Sequence, residues 1–245
     1  TMDEAKNIVE SYSKSKDGTT DTTPTSFVIS ATSQSNGRGT TKRNWKSAQR
    51  GNALFTIGIP QSSWMNDLKS KNDGRMVPLT LFPLKIGSFV AIHTQKFINK
   101  CSLKSNGEDQ VRPRVTVKWP NDILLHTKQG SHEKIAGILI ENHYDEVAKE
   151  SWYLIGIGVN VAHAPKIDLM GPQRGRMSTC IANHCDIEGD GMKMAQAMAF
   201  DIAKSIHDRV AASIGGGEYV DKSIASEAII REWSEWAEFG KEQVL

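Results

Sequence analysis

The segment Gln34-Ser-Asn-Gly-Arg-Gly-Thr-Thr-Lys-Arg-Asn-Trp45 holds an unusual concentration of groups that could bind an anion. Arg38, Lys42, Arg43, Lys46 and Arg50 fall close together, and no acidic residue occurs between Asp21 and Asp67. Gly37 and Gly39 flank Arg38, and glycine lets a backbone take positive φ or approach a ligand closely. Successive amides in such turns form anion-binding concavities, and a guanidinium presents a planar fork to phosphate or carboxylate. The chemistry on offer is a loop that closes over an anionic ligand such as ATP. The plainer alternative is a solvated basic connection between strands, because charge runs usually face water. The segment is not a Walker A motif, which needs Gly-Lys-Ser or Gly-Lys-Thr after a strand.

Three further segments carry polar groups in apolar surroundings. In Val117-Lys-Trp-Pro-Asn-Asp-Ile-Leu124, Lys118 interrupts a strand and either meets solvent or pairs with an anion in a cleft. Pro120 ends that strand, since proline cannot continue a central ladder. Asn121 and Asp122 then fall just past its end, where polar site residues are common, unless they form a turn that bonds its own backbone. In Lys134-Ile-Ala-Gly-Ile-Leu-Ile-Glu141, Lys134 is a fixed charge at the start of a buried strand or merely its polar boundary. Gly137 admits a ligand or a second backbone. In Gly156-Ile-Gly-Val-Asn-Val161, two glycines weaken a strand unless something packs on them, and Asn160 supplies donor and acceptor together.

These segments need elements to position them. Residues 1–12 predict a helix with Ala5, Ile8, Val9 and Tyr12 on one face, and Thr1 with Glu4 has capping-box spacing. A polar loop follows over 13–26. Strands are expected at 27–31, 53–59, 115–119, 135–141 and 152–161, with loops at 61–76 and 106–113. Pro83 opens a helix to about Lys100, with Leu84, Ala91, Ile92 and Phe97 inward. Residues 166–191 are irregular. Two helices close the chain, one striped with Ala195, Ala199, Ile202, Ala203, Ile206 and Val210, the other over about 220–239 with Ile229, Trp233 and Trp236. Strands and helices interleave without strict βαβ alternation, which predicts an α+β fold, a mixed sheet backed by helices.

Composition bounds the rest. A chain of 245 residues makes one large domain, or one domain with a small appendage. A net charge of +2 is too weak a bias to imply nucleic acid. No run reaches membrane-span length and no signal segment opens the chain, so a cytoplasmic location is expected. Three cysteines (Cys101, Cys180 and Cys185) fit no disulfide scaffold. Cys180, His184 and Cys185 cluster, but a fourth zinc ligand at finger-like spacing is missing.

Taken in order, Gly37 to Trp45, Lys118 to Asp122, Lys134 to Glu141 and Gly156 to Asn160 resemble the catalytic domain of the biotin protein ligases. The resemblance covers nearly the whole chain, with residues 1–240 as the catalytic domain and 241–245 as the start of a truncated C-terminal β domain. It implies a sheet backed by helices akin to the class II aminoacyl-tRNA synthetase core. It also implies activation of biotin by ATP with Mg²⁺ and transfer to a lysine of a biotin carboxyl carrier domain, in a chain that binds neither membrane nor nucleic acid and could form a homodimer. By resemblance, Thr1, Gln34, Gly37, Arg38, Lys134, Gly137 and Gly156 match positions around biotin. Arg43, Trp45, Asn52, Asn121, Asp122 and Asn160 match positions around the nucleotide. Gly39 and Lys118 are expected among the ligand-binding residues as well, and Arg38, Lys134 and Asp122 are expected to be catalytic. The pattern departs at Thr40, where many relatives carry arginine, and Lys42 is the nearest substitute. A lipoate or octanoate ligase on the same fold is an alternative, as is a non-enzymatic nucleotide-binding module. The first would show Arg-x-x-Gly-Gly-Gly, whereas Gly215-Gly-Gly217 comes late and lacks that arginine.

Overall fold

In chain order the elements are α1 (Met2–Lys14), β1 (Phe27–Ala31), β2 (Gln34–Arg38), β3 (Asn44–Ser47), β4 (Ala53–Pro60), α2 (Phe82–Lys100), β5 (Ser102–Leu103), β6 (Arg114–Lys118), β7 (Asp122–His126), β8 (His132–Asp145), β9 (Glu150–Val159), a 3-10 turn (Ile181–Asn183), β10 (Cys185–Asp186), α3 (Gly191–Ile214) and α4 (Lys222–Trp236). This computed structural model describes residues 1–14, 25–40, 43–47, 49–62, 81–103, 112–126, 130–167, 170, 176–187, 190–214 and 222–237. The loop expectations over 15–24, 63–76 and 106–111, Lys42, Gly215 to Gly217, the end of the last helix at Phe239 and the strand start at 241–245 lie outside them.

Six strands form one sheet in the order β1-β4-β9-β8-β7-β6. Every neighbouring pair in it is antiparallel. Its mixed character resides in two isolated parallel bridges, Val117 to Ala237 and Lys134 to Ser178. Side chains alternate across a strand, so each strand serves two environments. Phe55, Ile57 and Ile59 of β4, Ile155, Ile157 and Val159 of β9, and Val115 and Val117 of β6 belong to one large core. Against them pack Ile86, Phe89 and Val90 of α2, Ile202 and Ile206 of α3, and Trp233 of α4. On the opposite face, among the described residues, a helix covers only one end: Met2, Ala5 and Val9 of α1 pack on Trp152 and Leu154.

The expected helices and strands are present with shifted ends. Pro83 falls in the first turn of α2, where its missing N–H costs nothing. Of the face expected inward, Leu84 and Ala91 are core, while Ile92 and Phe97 are only partly buried. Two hairpins are additional. The basic glycine segment is itself paired as β2 with β3. Lys118 pairs with Asp122 across the Trp119-Pro120-Asn121 turn, so Asp122 opens β7 and does not trail a strand end. The stretch after Lys166 contains the 3-10 turn and β10, which pairs with β5.

Candidate active site

The uncovered half of the sheet is the floor of a cavity of about 730 Å³, roofed by the β2–β3 hairpin and closed at one end by the start of α1. Glycine makes the floor. Gly137 of β8 pairs with Gly158 of β9, and the Trp45 indole from β3 lies directly on both. A Cβ on Gly158 would come within 2.7 Å of that ring, and one on Gly137 within 2.8 Å. Neither position tolerates a side chain while the tryptophan rests there. Gly156, one pleat further along β9, faces Met2 in the same way, with its Cβ position 3.0 Å from the Met2 sulfur.

Lys134 reaches this face through a fault in the strand. Strict alternation groups it with Ala136 and Ile138, which are core. Ile123 pairs with Ala136 but Leu124 pairs with Lys134, leaving Ile135 without a counterpart on β7. Such a bulge re-aims the side chains beyond it. The Lys134 ammonium therefore enters the cavity, 2.6 Å from Asp122 Oδ1 and 5.4 Å from the centre of the Trp45 ring. Asn121 ties the β6–β7 turn down: its carbonyl accepts from Ile138 N at 3.0 Å, and its amide donates to Ile138 O at 3.1 Å and to the Thr40 hydroxyl at 3.3 Å.

The end beside α1 is polar and neutral. The Thr1 hydroxyl accepts from Gln34 Nε2 at 2.9 Å and from the Thr56 hydroxyl at 2.8 Å, and Thr56 is wholly buried. Arg38 lines the cavity at its rim, 2.7 Å from Asp3 Oδ1 and 3.7 Å from Glu141 Oε1. Lys6 holds the same Glu141 at 2.8 Å, so the two expected catalytic cations stand in different parts of the site.

At the other end Arg43, Lys118, Lys134 and Arg176 all line the cavity. Partial burial, and then the neighbouring Arg176 guanidinium, hold the Lys118 ammonium below the ordinary lysine range; Asp122 opposes this, while Arg43 and Lys134 add to it. Asn160 is buried here. Its amide donates to Thr179 O at 3.1 Å, while its Oδ1 has no hydrogen-bond partner among the described residues. A buried acceptor left unpaired costs about 1–3 kcal/mol, which a ligand N–H would recover.

Of the residues singled out from sequence, Thr1, Gln34, Gly37, Arg38, Gly39, Arg43, Trp45, Lys118, Asn121, Asp122, Lys134, Gly137, Gly156 and Asn160 all line this cavity. Asn52 does not. Its Oδ1 accepts from the amides of Val161, Ala162 and His163 at 3.0, 3.2 and 3.1 Å, and its amide donates to His163 O. With its polar atoms committed, Asn52 clasps the turn after β9. Sequence reasoning missed Arg176 and Thr56, and noted Gly158 without placing it among the site residues. Gly158 was legible as the second glycine of its strand; Thr56 and Arg176 carry no local signal. The Cys180 thiol faces Ala162 O, His184 bonds the Thr179 hydroxyl, and no group of three metal-ligating side chains occurs among the described residues. No helix among the described residues is long and apolar enough to cross a membrane.

The model of the biotin/lipoate A/B protein ligase family matches residues 9–160, more than half of the chain, and the chain belongs to that family. This removes the alternative of a non-enzymatic module. Among solved structures, biotin protein ligase from Leishmania major in complex with biotin is 22% identical, with 100% of this chain and 80% of that chain covered at a TM-score of 0.59. The Leishmania major enzyme in complex with biotinyl-5-AMP is 23% identical, with 99% and 81% covered at 0.56. At this identity the likeness establishes the fold alone. No curated protein sequence matches the chain.

Proposed function

We propose that this family member is a biotin protein ligase, which joins the biotin carboxylate to AMP from ATP and passes the biotinyl group to a lysine of a carrier domain. The observation that favours biotin over lipoate is the Thr1–Gln34–Thr56 cluster. A ureido head needs donors and acceptors at the closed end of its pocket, and these hydroxyls and this amide supply both. A dithiolane ring offers no N–H or carbonyl to exchange with these hydrogen bonds, so the polar end would gain nothing from it.

The rest of the cavity suits that ligand. Gly156, Gly158 and Asn160 follow one another on one face of β9 and the residue after it, about 13 Å from first to last at ~3.4 Å per residue. This is a flat track for an apolar tail. Its carboxylate would meet Lys134, whose charge lowers the repulsion between two anions and stabilises charge developing at phosphorus. Trp45 would lift from the glycine floor and cover adenine, and Asn160 Oδ1 would accept from the base. Magnesium would accompany the nucleotide phosphates as their counter-ion, and Asp122, once released from Lys134, would be a cavity carboxylate able to share it. In the second step Asp122, released from Lys134, would orient or deprotonate the carrier lysine.

Pyrophosphate exchange into ATP, run in parallel with biotin and lipoate, tests this reading. Exchange with biotin alone is expected. Exchange with lipoate alone would move the assignment to the sister activity, and exchange with neither would remove the acid-activating reading.

A further inference from the structure

The cavity's second cationic wall comes from a part of the chain that the family match does not reach. β9 leaves β8 at Ala136, where Val159 makes its last pair. Residues 177–179 take over the vacated edge: Lys134 N donates to Met177 O at 2.7 Å, and Thr179 N donates to Lys134 O at 3.0 Å. The same strand residue that puts an ammonium into the cavity thus anchors, through its backbone, the segment bearing Arg176. A weak bond from Arg176 Nη1 to His132 O, at 3.5 Å, lies along the same edge. Neither Lys118 nor Arg176 has a carboxylate partner within ion-pair distance among the described residues, whereas Lys134 has Asp122.

Gathering cations around one cavity without matching acids is unfavourable unless an anion joins them. Partial burial first, and then the Arg176 guanidinium, hold the Lys118 ammonium below its ordinary range, which places Arg176 beside it. The anion must carry several charges and must lie beyond Lys134 as seen from the neutral end at Thr1. A monocarboxylate meets the first cation, Lys134, and leaves the rest for another group.

We propose that Arg176, together with Lys118 and Arg43, forms a polyphosphate cradle that holds the β- and γ-phosphates of the nucleotide and the pyrophosphate that departs. The proposal rests on the ligase reading for its place in the reaction. A carboxylate oxygen bonds to the α-phosphorus, the bond from that phosphorus to the bridging oxygen of the β-phosphate breaks, and pyrophosphate leaves with the electron pair. Arg176 neutralises the leaving charge and makes no contact with the acid. It is a binding residue for the nucleotide end alone.

Calorimetric binding of inorganic pyrophosphate, with biotin binding measured on the same samples, tests the cradle. Arg176→Met, which keeps the aliphatic stem, is expected to weaken pyrophosphate about tenfold, or roughly 1.4 kcal/mol, with biotin affinity unchanged within twofold. Arg176→Lys is expected to restore part of the loss, and in turnover the KM for ATP rises while that for biotin stays put. Unchanged pyrophosphate affinity in Arg176→Met overturns the proposal. So does a parallel fall in biotin affinity, which would mark a merely structural role for the segment. Pyrophosphate binding that depends on Arg176 in a protein without biotin-dependent exchange would support the cradle while removing the ligase reading.

Discussion

The two faces of the central sheet are built from the same strands and do opposite things. Ile155, Ile157 and Val159 of β9 point into the large core against α2, α3 and α4. Gly156 and Gly158, the residues between them, point the other way and carry no side chain at all. One face is filled to exclude water; the other is emptied so that Trp45, or a ligand in its place, can lie against bare backbone. A glycine in mid-strand weakens the strand, and here that cost is met by the opposite face, where continuous apolar packing holds the same strands in register. Stability and binding are therefore divided by parity, and substitutions one residue apart should separate them.

The sharpest break of that division is Lys134→Ala, on the cavity face. It should reduce biotin-dependent pyrophosphate exchange about 10²- to 10³-fold, the scale of removing one charge-stabilising donor, with a denaturation midpoint close to wild type. A comparable exchange rate would show that the charge at the head of the glycine track is not used. On the other face, Ile155→Ala should cost about 2–5 kcal/mol of stability, read from denaturant unfolding, while biotin affinity of the folded fraction stays near wild type. Affinity that fell with stability would mean that the two faces are mechanically coupled.

A finer test concerns the roof. The Thr40 hydroxyl accepts from the Asn121 amide at 3.3 Å. Thr40→Arg should add a cation over the intermediate and slow adenylate release by about tenfold, roughly 1.4 kcal/mol. Equal release rates, measured by stopped-flow displacement, would dismiss that role.

The smallest effect is electrostatic. The Lys118 pKa is depressed in the folded protein, so at neutral pH its charge opposes folding. As pH rises through the depressed value, the folded state sheds the proton before the unfolded state does, and that penalty fades. Lys118→Gln should therefore stabilise the ligand-free protein by about 0.5 kcal/mol, the order seen when surface charges are optimised. The gain should shrink toward alkaline pH, and ATP should bind more weakly. A gain constant across that pH range would assign it to something other than the charge.

Much of the fold was legible because periodicity is local. The helix stripes of α1 to α4 and the apolar runs of β4, β8 and β9 follow from side-chain geometry that any short window displays. The cavity residues were legible where odd chemistry interrupts such runs: Lys118 in a strand, glycines at 137 and 156, an arginine between glycines. What failed did so for non-local reasons. Asn52 has the right chemistry for a ligand, but three amides of the turn after β9 take its oxygen. The basic segment shows no alternation, yet it pairs as a hairpin, because pairing needs only a partner strand and a turn. β7 escaped notice because its five residues follow a proline turn and read as a loop end.

The sequence by itself determined the set of chemical groups and the classes of element that carry them, since both depend on residue type and short-range spacing. Only the tertiary structure decided which groups meet. Lys134 has the parity of a core residue, and the unpaired Ile135 turns it into the cavity. Arg176 has no partner in sequence, and the edge left open where β9 departs brings it beside Lys118. In both cases the deciding term is a backbone hydrogen-bond requirement that another segment satisfies. No window of sequence contains both sides of that bond.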